Sequence, residues 1–107
     1  MDNMDLETLS LPRPLFPVGQ VLMTHGACEA LSVDFKDKSP VLTLMLLARH
    51  MSGDWGDICP EDKGANKDSL KHGGRIMSVY KLFSGPTVWI ITESDRASTT
   101  VLLPSEY

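Results

Sequence analysis

The sequence predicts an α+β domain in which two or three helices pack on a three- to four-stranded, mainly antiparallel C-terminal sheet. Three observations carry that prediction: an apolar block opened by Ser39-Pro40, a polar block bounded by Pro60 and Gly73-Gly74, and β-branched runs after Arg75 separated by short turns. Helical patterns come first and strands afterwards, which is the α+β order. With 107 residues there is room for one core. A composition of 42% hydrophobic and 22% charged residues belongs to a folding chain rather than a disordered one.

Residues 1–14 hold Asp2, Asp5, Glu7, Pro12 and Pro14 without sustained periodicity and read as a loosely ordered arm, leaving 15–107 as the single domain. Leu15, Phe16 and Val18 are the side chains that can anchor it. Gln20-Val21-Leu22-Met23 is a short apolar run fit for a strand, and Thr24-His25-Gly26 offers capping chemistry to a short helix over residues 27–31. Ser39 can cap a helix over residues 40–51, where Pro40 gives up no useful N–H. Val41, Leu42, Leu44, Met45, Leu46, Leu47 and Ala48 leave that helix almost no polar face, so it is expected to be buried on most sides. Arg49 and His50 suit its negative end, and Gly53 can terminate it.

A second helix over residues 60–72 starts at Pro60 with Glu61 and Asp62 near its positive end and finishes at Lys71, His72 and Gly73. Its few apolar residues place it on the surface. Residues 75–82, 87–92 and 99–103 alternate as strands, and the turns Phe83-Ser84-Gly85-Pro86 and Ser94-Asp95-Arg96-Ala97-Ser98 are short enough for a meander.

Ten Lys and Arg against fourteen Asp and Glu give a net charge of −4. That balance does not suit bulk phosphate binding, which needs clustered cations, so direct nucleic-acid binding is not expected. An acidic surface fits a basic protein partner. The start of the chain shows no basic and apolar export pattern, and the stretch from Val41 to Ala48 is too short to span a bilayer, so a cytoplasmic protein with no membrane partner is expected. Cys28 and Cys59 form no CxxC and read as free, buried thiols.

The segment Arg49-His50-Met51-Ser52-Gly53-Asp54-Trp55-Gly56-Asp57, followed by Glu61-Asp62, gathers an imidazole, carboxylates and an aromatic around a loop. His50 is the candidate acid or base, oriented by Glu61 or Asp57, with Arg75 or Arg96 as anion stabiliser. The plainer reading weighs more: the helix dipole alone favours His50, Trp55 can fold the loop inward, and Gly with Asp is ordinary turn chemistry. Around Arg96, a local ion pair with Asp95 or Glu93 explains the hairpin turn. His25, Cys28, His50, Cys59 and His72 lack the paired spacing of a zinc set, and neither GxxxxGK[ST] nor GxGxxG occurs, so neither a metal nor a cofactor is expected. Trp55, Trp89, Tyr80 and Phe83 lack a basic surround for base stacking and read as core or interface residues.

The strings RHxxGDWGD, at Arg49 to Asp57, and WIITExDRxxTTVLLPxEY, at Trp89 to Tyr107, resemble those of a family of small plasmid- and phage-borne proteins, some labelled as plasmid-related or as a restriction-system subunit. The likeness runs from about Leu15 onward. A chain of 107 residues has no room for a methyltransferase fold, so the restriction label indicates neighbourhood rather than activity. The resemblance implies an accessory of a mobile genetic element that blocks a host defence complex by stoichiometric contact, as anti-CRISPR and anti-restriction proteins do. In that reading Asp54, Asp57, Glu61 and Asp62 form an acidic face, with Trp55 as anchor and Arg96 as a further contact, against a basic nucleic-acid-handling partner. The rival is a small metal-independent ribonuclease of barnase or RelE-like layout using His50, Glu61, Arg75 and Ser78.

Overall fold

Residues alternating between a buried and a half-exposed face draw the C-terminal third into strands. The computed structural model describes residues 13–35 and 39–107. Strand β1 spans Gln20–Met23, β2 Ile76–Lys81, β3 Thr87–Thr92 and β4 Ser98–Leu102. Helix α1 covers His25–Phe35, α2 Ser39–Met51 and α3 Pro60–His72. A 3₁₀ turn over Pro104–Glu106 follows β4. The expected arm falls, through residue 12, outside the described residues, and so does the side chain of Ser39 as a cap.

The meander forms as the short turns predict: β2 pairs antiparallel with β3, and β3 with β4. The short run at Gln20–Met23 adds a fourth strand, parallel to β4, for a sheet order of β1-β4-β3-β2. The domain is therefore α+β, with a mixed sheet that is mainly antiparallel. Ile76, Ser78 and Tyr80 of β2, Val88, Ile90 and Thr92 of β3, and Thr99 and Val101 of β4 share one buried face. On it, one cluster joins Ala27, Ala30 and Leu31 of α1 to Leu42, Leu46 and Leu47 of α2, and a second gathers Phe16, Trp55 and Ile76.

Local chemistry sets the element ends. Thr24 Oγ1 accepts the Ala27 N–H at 3.2 Å and caps α1, as its place before the helix predicts. The Glu106 carboxylate adds to that cap by accepting the Gly26 N–H at 3.1 Å, and it also holds the Leu103 N–H at 2.9 Å. The Thr24 hydroxyl and these N–H donors hold the Glu106 carboxyl below its ordinary pKa. Helix α3 starts at Pro60 and stops at Gly73, whose N–H bonds the Ser69 carbonyl at 2.9 Å.

Its one buried residue is polar. Asn66 Nδ2 donates to the Met77 carbonyl at 2.9 Å while its Oδ1 accepts the Met77 N–H at 3.1 Å. The Asn66 amide thus pairs with the outer edge of β2 as a strand residue would. Further along that edge, the Val79 N–H bonds the Trp55 carbonyl at 3.0 Å and the Val79 carbonyl accepts the Asp57 N–H at 2.8 Å. The edge is closed by α3 and the loop before it, which blunts strand-to-strand association there.

Two expectations of burial are corrected. Helix α2 packs one face on the sheet and leaves Val41 (53%), Leu44 (66%) and Met45 (55%) open, because a helix on a single sheet buries only the side it turns to that sheet. Cys28 and Cys59 are free thiols but exposed: Cys28 sits on the outer side of α1, and Cys59 at the cap position before Pro60.

Candidate functional site

The loop that concentrates chemistry-bearing residues is built as a joint of the fold. Arg49 makes a two-pronged contact with Asp54, Nε to Oδ2 at 2.7 Å and Nη2 to Oδ1 at 3.2 Å, while its guanidinium lies 4.6 Å from the centre of the Tyr80 ring. Each partner favours the charged form of the other, so the Arg49 pKa is raised and the Asp54 pKa lowered. Tyr80 donates its hydroxyl to the Asp54 carbonyl at 2.6 Å, and burial pushes its pKa up to about 12. Trp55 is 5% exposed and its indole N–H donates to the His50 carbonyl at 3.2 Å. The expected surface anchor is therefore part of the core, as the apolar area of an indole beside Phe16 and Ile76 dictates.

Gly56 has to be glycine. Its φ is +73°, and a Cβ there would lie 1.9 Å from the Val79 carbonyl oxygen, across the bridge that joins the loop to β2.

His50 is fully buried and hydrogen-bonded at both ring nitrogens, Nδ1 to Ser78 Oγ at 2.6 Å and Nε2 to Thr92 Oγ1 at 2.9 Å. Ser78 and Thr92 are diagonal neighbours on β2 and β3, because Thr92 pairs with Ile76 and Ser78 with Ile90. Thr92 Oγ1 in turn lies 2.7 Å from Thr99 Oγ1, its direct partner on β4, and Thr99 donates to the Val18 carbonyl at 2.8 Å. A carbonyl only accepts, which fixes each proton from Thr99 to His50 Nε2, and a neutral ring then takes the Ser78 proton on Nδ1. Thr99 donates to Val18, Thr92 to Thr99, His50 Nε2–H to Thr92, and Ser78 to His50 Nδ1.

An imidazolium would donate at both nitrogens; burial disfavours it near neutral pH by lowering the His50 pKa from 6.5 to about 4, so the ring is neutral with its proton on Nε2. The arrangement holds α2, β2, β3, β4 and the segment before β1 together through satisfied polar groups. Neither Glu61 nor Asp57 orients the ring, contrary to the sequence expectation, because strand hydroxyls already fill both positions.

The remaining candidates are dispersed. Of His50, Glu61, Arg75 and Ser78, only His50 and Ser78 meet, and both are 0% exposed. Glu61 is an exposed residue of the first turn of α3. Arg75 donates to the Tyr107 hydroxyl at 2.8 Å and lies 3.7 Å from Glu93.

Arg96 departs from the expected pairing with Asp95 or Glu93 side chains. Its Nη1 donates to the Gly74 carbonyl at 2.6 Å and the Glu93 carbonyl at 3.0 Å, and its Nη2 to the Ser69 carbonyl at 3.1 Å. A left-handed backbone, φ +61°, aims the side chain there, so Arg96 ties the last hairpin to the end of α3. Asp57 and Asp62 are exposed. Among the described residues, no three His, Cys, Asp or Glu side chains come together as a metal set, and no helix is long and apolar enough to cross a membrane.

What the sequence expectation missed is the outer face of α2. Val41, Leu44, Met45 and Ala48, with Arg49, Ser52 and Asp54 at one end, line an open groove of about 570 Å³. Among the described residues there is one sheet for α2 to pack on, and the apolar side turned away from it is left uncovered by them. Phe83, 97% exposed, stands at the β2–β3 turn next to Leu82, which belongs to the same cluster as Leu42 and Leu46 of α2. No protein-family model matches the chain, and neither the curated proteins nor the solved structures compared with it gave a match.

Proposed function

We propose that this protein works as a stoichiometric binding protein that docks another protein on the outer face of α2. The observation that carries the reading is the contiguous stripe of Val41, Leu44, Met45 and Ala48 over a groove of about 570 Å³. An apolar patch rimmed by charged and polar residues is the usual mark of a contact surface. The reading is favoured over a ribonuclease by His50 and Ser78, which spend their polar atoms on each other and on Thr92 in the core. The sequence resemblance narrows the partner to a host defence or nucleic-acid-handling complex, which docking would block. Asp54 and Asp57 then act as the rim of the contact, and Trp55 supports the loop from inside.

The test is purification of tagged wild-type protein and of Leu44→Asp from a host carrying active defence systems, after nuclease treatment. Leu44 is 66% exposed, so the variant is expected to melt with the wild type. The reading expects an equimolar partner retained by wild type and lost by Leu44→Asp, with loss of any inhibition. A partner retained equally by both would move the contact elsewhere.

A further inference from the structure

We infer that the α2 groove takes an amphipathic helix of the partner protein, with apolar side chains once per turn over about two turns and basic residues at the end facing Asp54 and Asp57. The inference rests on the reading of the α2 face as the docking surface and adds the kind of segment that docks there.

Backbone chemistry selects a helix. The groove wall is itself a helix whose N–H and C=O groups are bonded internally, so Val41, Leu44, Met45 and Ala48 offer only apolar contact. An extended segment lying there would bury backbone donors and acceptors without partners. A helix brings its own satisfied backbone. The stripe from Val41 to Ala48 rises about 10 Å, or two turns, which matches apolar side chains at i, i+4 and i+7 of an opposing helix. Ala48, small among larger neighbours, lets the two backbones approach.

Charge selects the basic end. The stripe runs out where Arg49 is matched by Asp54 at 2.7 Å. Asp57 follows in the same loop, tied through its N–H to Val79 beside the Tyr80 ring that carries Arg49, so this end holds two carboxylates against one guanidinium. The carbonyl end of α2 adds further negative potential. A Lys or Arg arriving there is attracted and an acid repelled. A second copy of this chain fits less well, since it would bring the same negative end and one helix face falls short of the roughly 1,200 Å² that a stable pair buries.

The experiment uses two synthetic helical peptides of about four turns with the same apolar stripe, one ending in three lysines and the other in three glutamates. Each is titrated into the full chain by fluorescence anisotropy, with amide chemical shifts to locate the contact. The lysine peptide is expected to bind about tenfold tighter at about 50 mM salt, with the ratio shrinking towards one at about 500 mM. Shifts should map to residues 41–54, Asp57→Lys should erase the preference, and Leu44→Asp should abolish binding of both peptides. Equal affinities at low salt would overturn the basic end. Failure of both peptides, with a protein partner still lost on Leu44→Asp, would overturn the helical occupant and leave the docking face standing. A dimer in sedimentation that Leu44→Asp dissolves would assign the groove to a second copy and overturn the inference.

Discussion

His50 shows how one residue type supports opposite readings until its surroundings are known. At a helix end beside a Gly-Asp loop it has the profile of an acid or base, yet both its nitrogens are committed to strand hydroxyls. The consequence is measurable through pH. Because burial lowers the folded pKa to about 4 from 6.5, the unfolded chain binds the extra proton between those values. Stability contributed by neutral His50 is therefore complete above about pH 6.5 and is lost as pH falls towards 4, a difference of about 3 kcal/mol. Urea midpoints across pH 7.5 to about 4 should fall in the wild type and much less in His50→Gln, which also starts less stable by about 2 kcal/mol because Ser78 or Thr92 loses a partner. A parallel decline in both proteins would mean that His50 is not the group responsible.

Glycines at this scale divide cleanly. Gly56→Ala drives a methyl into the Val79 carbonyl and is expected to cost more than about 2 kcal/mol, whereas Gly64→Ala in α3 meets nothing within 4 Å and should gain about 0.5 to 1 kcal/mol. Thermal melts of the two variants decide it, and a tolerated Gly56→Ala would mean that the loop is not pinned to β2.

Among the elements, α3 and the three C-terminal strands were the most legible, because their ends are written in local chemistry. Pro60, the acids after it and the glycines after His72 bracket α3, and β-branched alternation marks β2, β3 and β4. The parallel pairing of β1 with β4 was not legible, since it joins residues from opposite ends of the domain and has no turn to announce it. The role of Asn66 is not legible for a related reason: a polar residue on a polar helix carries no sign that it will complete a strand edge. Replacing it by Ala leaves the Met77 N–H and carbonyl without their partners and is expected to cost about 2 to 3 kcal/mol. Hydrogen exchange should then show the Met77 amide opening before the amides of β3. If Met77 stays protected in Asn66→Ala, the amide is not what closes the edge.

For the whole molecule, the candidate site is legible in its letters, and its contacts follow the plainer reading in which Trp55 folds the loop inward. Arg49, His50, Asp54, Trp55 and Gly56 stand out as a unit, and the structure spends all five on holding α2, β2 and the loop together. Their density is that of a folding joint, where a buried polar chain and a left-handed glycine each need a specific residue. The open outer face of α2 is not legible, because an all-apolar helix matches a buried one letter for letter. Only the number of layers tells them apart, and that is a property of the entire fold.

The function proposed for this protein turns on whether partners meet it at α2. The most direct measurement places a photo-crosslinking residue at position 44, in the stripe, or at position 62, on the acidic first turn of α3, and identifies what each captures in cells after nuclease treatment. Docking on α2 predicts that one protein, captured in equimolar amount, crosslinks strongly from position 44 and weakly or not at all from position 62. Strong capture from position 62 with nothing from position 44 would contradict it and return the contact to the acidic face.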